Sequence, residues 1–119
     1  MRLLHDCVRD VMLFVEENLE YDNVLMTSFI QEHLSDYSIE DINYTCKKLS
    51  EAGYLKIDVD MLDTITVIKM TYDGHVFLDN IRDNNVWAET KSKISKIASV
   101  SLPIIQQVAS QLICNKLGI

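Results

Sequence analysis

The chain has 119 residues, with 18 acidic side chains against 11 Lys and Arg and a net charge of -7. At this length it is expected to form one domain, or one domain with an appendage, and to fold without disulfides or a metal. Its hydrophobic and charged fractions, 48% and 24%, exclude a disordered chain.

Targeting and cysteine usage predict a cytoplasmic protein. Charged residues interrupt the N-terminus, so no secretory signal is expected, and no apolar stretch is long enough to cross a membrane. Cys7, Cys46 and Cys114 are odd in number and far apart, which is typical of free thiols in a reducing compartment.

The charge is unevenly distributed along the chain. Residues 1–85 carry seven basic and seventeen acidic side chains, a net -10, whereas residues 86–119 carry four basic and one acidic, a net +3. An acidic body repels polyanions at long range, which disfavours tight non-specific binding to nucleic acid.

Apolar periodicity predicts three helices in the first half. The first covers residues 2–19. The second begins at Ser28, with Gln31 as its capping-box partner. The third begins at Ser38 with a hydrophobic staple between Tyr37 and Ile42, and ends at Gly53. Its inward residues are predicted to be Ile39, Ile42, Cys46 and Leu49.

Two strands are predicted next, over residues 54–59 and 64–70, joined by a short turn at 60–63. Thr71 is predicted to cap a fourth helix, with Val76, Phe77, Leu78 and Ile81 available for burial. The tail is expected to form two helices. Trp87, Thr90, Ile94, Ile97 and Ala98 lie on one side of the first, and the second follows Ser101, with Pro103 in its first turn and Gly118 at its end.

This order of elements predicts an α+β, mostly α fold, namely a winged helix-turn-helix with a two-stranded wing and a C-terminal helical extension. The winged helix-turn-helix domain would comprise residues 1–83. Residues 84–119 would form a helical tail that packs on the first helix, on a dimer partner, or on both. A generic small helical domain with a hairpin is the alternative.

Several motifs resemble those of known winged-helix proteins. Leu49-Ser50-Glu51-Ala52-Gly53-Tyr54-Leu55 resembles the exit from a recognition helix, and residues 70–78, MTYDGHVFL, resemble the segment after the second wing strand. Residues 74–83, with Val86-Trp87 and Thr90-Lys91, resemble a family of short bacterial, phage and prophage proteins catalogued as a domain of unknown function. This resemblance implies a winged-helix fold and a bacterial or mobile-element origin, and it implies no catalytic residue.

The third helix carries the candidate DNA-binding residues. If its apolar side faces inward, Asn43, Tyr44, Lys47 and Lys48 face outward, where they could meet base edges and phosphates of double-stranded DNA. The acidic residues Glu40 and Asp41, and Asp58, Asp60 and Asp63 around the wing, oppose this role. The expected function is a small DNA-binding protein, and the resemblance implies a transcriptional regulator of a phage or another mobile element. The acidic wing favours the alternative, a protein-interaction adaptor that does not bind DNA.

The last helix is the candidate self-association element. Its apolar residues spread over about half of its circumference, which predicts a homodimer interface at Ile105, Val108, Leu112 and Ile113. Packing within a monomer is the alternative.

Enzyme chemistry is not expected. The chain has no nucleophile elbow, phosphate loop or zinc-ligand spacing, and residues 58–63 lack the glycine and glutamate of a calcium loop. We expect no catalytic residue, no cofactor and no metal. Trp87 is expected to anchor the tail rather than to stack on bases.

Overall fold

A computed structural model describes all of residues 1–119 as an α+β, mostly helical protein with six helices and one three-stranded antiparallel sheet. The elements are α1 His5–Asn18, β1 Leu25–Met26, α2 Thr27–His33, α3 Ile39–Glu51, β2 Leu55–Val59, β3 Ile65–Met70, α4 Tyr72–Ile81, α5 Asn84–Ile94 and α6 Leu102–Leu117. The chain divides into two compact units, residues 1–75 and residues 76–119.

The core of the first unit lies between α1, α3 and the sheet. α1 buries one side, formed by Cys7, Val8, Val11, Met12 and Val15. α3 buries Ile42, Thr45, Cys46 and Leu49. The Thr45 hydroxyl donates a hydrogen bond of 3.4 Å to Cys7 Sγ on α1, so the one polar side chain on the buried side of α3 has a partner.

Most of the predicted inward face of α3 is confirmed. Ile42, Cys46 and Leu49 are fully buried, but Ile39 is only half-buried. The fourth buried residue of α3 is Thr45 rather than Ile39. Apolar spacing alone missed Thr45 because a threonine is buried only when its hydroxyl finds a partner, here the Cys7 thiol.

The sheet contains one strand that the sequence did not predict. β3 is central in the order β1-β3-β2, and β1 pairs with it through Leu25↔Val67 and Met26↔Thr66. Two residues are too few to show an alternating pattern, so β1 depends on its tertiary partner rather than on a local signal. The hairpin β2–β3 is confirmed, with a bulge between Lys56 and Ile57.

The predicted start of α2 is wrong. The helix begins at Thr27, one residue before Ser28, and no side chain caps it. The Gln31 side chain does not form a capping box but donates to the Tyr37 carbonyl oxygen at 3.2 Å. The Tyr37 hydroxyl in turn donates to Asp10 on α1 at 2.7 Å. Burial and this neighbouring carboxylate raise the pKa of Tyr37.

A set of hydrogen bonds joins the end of α3 to the start of α4. Thr71 Oγ1 donates to the Gly53 carbonyl oxygen at 2.6 Å and accepts from the Gly74 amide at 3.0 Å, which confirms Thr71 as the cap of α4. The Thr71 amide donates to the Tyr54 carbonyl oxygen at 3.0 Å. Gly74 lies against the Tyr54 backbone, and a Cβ atom at this position would overlap the Tyr54 carbonyl oxygen.

In the second unit, α5 and α6 pack against each other. Trp87, Thr90 and Ile94 are buried as predicted. Ile97 and Ala98 are exposed instead, because α5 ends at Ile94 and a turn follows. α6 has Pro103 in its first turn and ends at Gly118, whose φ of +75° is left-handed, and both features were predicted.

We expect Gly74→Ala to destabilise the first unit by about 2–3 kcal/mol, because the new methyl overlaps backbone that is itself hydrogen-bonded. An unobstructed Gly→Ala change in a helix would have the opposite sign. Gly53→Ala is the matched control. Its φ is +85° with no atom within 4 Å of the new Cβ, so it should cost only about 1 kcal/mol of backbone strain. Urea denaturation measures both, and a stable Gly74→Ala variant would contradict the packing described.

The three thiols should differ in reactivity. Burial raises the pKa of Cys7, and it raises the pKa of Cys46 to about 12, so neither forms a thiolate readily in the folded protein. Cys114 is half-buried. Titration with a disulfide reagent at pH 8 should label Cys114 quickly, and the other two only in denaturant. Rapid labelling of two or three thiols would contradict this core.

Candidate nucleic-acid interface

The orientation of α3 is fixed at both ends and along its buried side. Ser38 Oγ accepts a hydrogen bond of 3.1 Å from the Asp41 amide, as the predicted N-cap requires. Gly53, at φ +85°, provides the left-handed residue that ends the helix. Because the buried residues occupy one side, the exposed residues of α3 lie away from it, at Glu40, Lys47 and Glu51.

The four predicted DNA-binding residues differ in accessibility. Lys47 is exposed, whereas Asn43, Tyr44 and Lys48 are half-buried. Lys48 Nζ lies 3.1 Å from a carboxylate oxygen of Glu51 and 5.4 Å from the centre of the Tyr44 ring. The hydrogen bond to Glu51 raises the pKa of Lys48. The pair is exposed, so it holds Lys48 only weakly and leaves it able to exchange partners.

Asn43 lies at the border between the inward and outward sides of α3. Its Oδ1 atom is buried and has no hydrogen-bond partner. An unpartnered buried carbonyl oxygen costs about 1–3 kcal/mol, so a movement of the side chain toward a hydrogen-bond donor would be favourable.

Two lysines that the sequence analysis did not select lie on the hairpin. Lys56 on β2 and Lys69 on β3 are direct cross-strand partners, and both are exposed. Like charges in this arrangement repel each other. Neither lysine has a carboxylate within ion-pair distance, and neither does Lys47. The strand register could have revealed this pair, but the bulge after Lys56 makes the register hard to predict.

Acidic residues lie on the same elements as these lysines. Glu40 and Asp41 occupy the first turn of α3, as predicted. At the hairpin turn, one carboxylate oxygen of Asp60 accepts from the Leu62 and Thr64 amides at 2.8 and 2.9 Å, so Asp60 has a structural role. Met61 and Leu62 at the tip are almost fully exposed.

The predicted self-association residues on α6 divide into two pairs. Ile105 and Leu112 are buried within the chain, at 1% and 7% exposure, and are therefore occupied by its own packing. Val108 and Ile113 remain half-buried. Of the four predicted interface residues, therefore, only Val108 and Ile113 have accessible surface that a partner could bury.

No three His, Cys, Asp or Glu side chains come together in a way that could hold a metal ion. The nearest histidine–carboxylate pair, His75 Nδ1 and Glu16 Oε2, is 3.8 Å apart and lacks a third member. None of the helices has both the length and the apolar content needed to span a membrane.

Comparison with known proteins gives a family. A family model described as "Hypothetical protein (DUF2513)" matches residues 2–101. A Haemophilus influenzae protein described as "Uncharacterized protein" is 32% identical over 117 residues, covering 95% of this chain and 96% of that protein. No solved structure is significantly similar. Since the family model and the relative both cover most of its length, the chain belongs to the DUF2513 family, as the resemblance of its residues 74–91 predicted.

Proposed function

We propose that the elements from α1 to α4, within residues 1–83, form a winged helix-turn-helix. The element order α1-β1-α2-α3-β2-β3 and the sheet order β1-β3-β2 support this proposal. α2 and α3 would be the helix-turn-helix pair and the β2–β3 hairpin the wing. In such a domain the second helix of the pair enters the major groove of DNA, and here that helix is α3.

We further propose that the protein binds double-stranded DNA through α3 and the base of the hairpin. The observation that carries this proposal is the set of lysines without carboxylate partners: Lys47 on α3, and Lys56 and Lys69 on the sheet. Residues 1–75 contain fifteen acidic and six basic side chains, yet none of these three lysines has a carboxylate within ion-pair distance. Phosphates would neutralise them and relieve the repulsion between Lys56 and Lys69.

The other candidate residues have distinct roles in this proposal. Lys48 would exchange Glu51 for a phosphate, at small cost because their ion pair is exposed. Tyr44, beneath Lys48, would contact the sugar–phosphate backbone. Asn43 would rotate toward a base edge, where its buried carbonyl oxygen gains the hydrogen bond it lacks. Specificity would come from Asn43, and affinity from the lysines.

The biological setting is part of the proposal. A DNA-binding protein of this size and family would act as a transcriptional regulator of a phage or another mobile element, in the cytoplasm of a bacterium. Its acidic surroundings weaken binding to random DNA and thereby favour a specific site. A homodimer would double the number of phosphate contacts and read two half-sites.

A second candidate function is a protein-interaction adaptor. The exposed Met61 and Leu62 at the hairpin tip favour it, because Asp60 holds this turn in place and Asp58 and Asp63 surround it. An apolar, acidic tip is unsuited to a phosphate backbone but suits a basic pocket on a protein.

Removing the hairpin lysines tests the DNA-binding proposal. The double variant Lys56→Ala/Lys69→Ala should weaken binding to a random duplex and reduce the slope of log K against log salt by about 2, since each lost phosphate contact contributes about 0.9. Fluorescence anisotropy over a range of salt concentrations measures this slope.

Lys116→Ala is the matched control, because Lys116 is already paired with Glu89 at 3.0 Å in the second unit. It should leave the salt slope unchanged. If the wild-type protein shows no salt-dependent binding to DNA, or if both variants reduce the slope equally, the DNA-binding proposal fails and the adaptor function is favoured.

A further inference from the structure

The first unit has an apolar groove that neither proposed function uses. Val24, Leu25, Met26, Ser28, Phe29 and Glu32 line it, and its volume is about 300 Å³. Val24, Met26 and Phe29 are each between 42% and 53% exposed, which places three large apolar side chains together on the surface. Adjacent exposed apolar residues of this kind mark interaction sites.

Phe29, the aromatic residue that lines the groove, packs against two other rings. The Phe29 ring lies 5.9 Å from Phe14 on α1 and 4.6 Å from His33, measured between ring centres. Phe14 and His33 are themselves 5.4 Å apart, so the three rings form one cluster. The groove is therefore a preformed feature, not a gap between free side chains.

Charge restricts what can occupy this groove. Glu32 lines it directly, and Glu20 and Asp22 lie in the loop that leads into β1. Residues 10–46 contain nine Asp and Glu and no Lys or Arg. An occupant must therefore present an apolar side chain flanked by positive charges.

The second unit of the same chain has a segment with this chemistry. Ile97 is 61% exposed. Lys96 directly precedes it, Lys93 lies three residues before Lys96, and both lysines are exposed. No acidic residue occurs between Thr90 and the C-terminus. The turn contains two backbone hydrogen bonds, from the Lys96 amide to the Lys93 carbonyl oxygen at 3.4 Å and from the Ile97 amide to the Ile94 carbonyl oxygen at 3.1 Å.

We propose that this groove binds the Lys93–Ile97 turn of a second copy of the chain, in a two-fold dimer that makes the contact twice. Ile97 of one copy occupies the groove beside Met26 and Phe29 of the other, and Lys93 and Lys96 face Glu20, Asp22 and Glu32. The net charges of residues 1–75 and 76–119 are -9 and +2, so each unit attracts the opposite unit of a second copy. Reciprocal contacts close the assembly at two copies.

Sedimentation equilibrium without DNA tests this dimer. The wild-type protein at 100 µM and low salt should have twice its 13.7 kDa chain mass, and the dimer should dissociate as salt rises. Glu32→Lys and Lys96→Glu should each raise the dissociation constant at least tenfold. Combining the two substitutions in one chain restores opposite charges and should recover at least half of the lost affinity on a logarithmic scale.

Three further variants make the test decisive. Ile97→Ser should dissociate the dimer. Its urea midpoint should equal that of the wild type when both are measured at high salt, where the wild-type dimer has also dissociated, because Ile97 is largely exposed. Glu40→Lys, the same charge change on α3, should leave the dimer intact. The double variant Val108→Ser/Ile113→Ser tests the alternative interface on α6 and should also leave the dimer intact.

A monomeric wild-type protein would overturn the proposal. So would a dimer that Glu32→Lys and Lys96→Glu leave intact, a double variant that recovers nothing, or loss of the dimer only in the α6 variant. None of these results depends on DNA, so the DNA-binding proposal is tested separately.

Discussion

The rotation of α3 about its own axis is the constraint on which the other features depend. Ile42, Cys46 and Leu49 are fully buried, and the Thr45 hydroxyl donates to the Cys7 thiol of α1. A rotation of even one residue position, about 100°, would expose an apolar side chain and bury a lysine without a partner. The outward position of Lys47 therefore follows from core packing and needs no surface interaction to maintain it.

The distribution of charge adds a second constraint. Lys48 has a carboxylate neighbour in Glu51. Lys47, Lys56 and Lys69 have none, and two of them face each other across the sheet. Such an arrangement lowers stability slightly, and strain of this kind is often found at functional sites.

The sequence predicted the elements with strong local signals. Ser38, Gly53, Thr71 and Gly118 each act at the helix end assigned to them, because capping depends on a few adjacent residues. β1 was missed because it exists only through pairing with β3. Thr45, and the exposure of Ile97, were also missed, since burial of a polar residue and the exact end of a helix are decided by tertiary partners. For the candidate site, the outward lysine of α3 was predicted, whereas the Lys56–Lys69 pair required the strand register.

The most direct test of the central claim compares the acetylation rate of each lysine, by mass spectrometry, with and without a random DNA duplex at low salt. The account predicts that DNA slows modification of Lys47, Lys56 and Lys69 several-fold and leaves the rate at Lys116 unchanged. Equal protection of all lysines, or protection confined to residues 91–116, would contradict the proposed role of α3 and the hairpin.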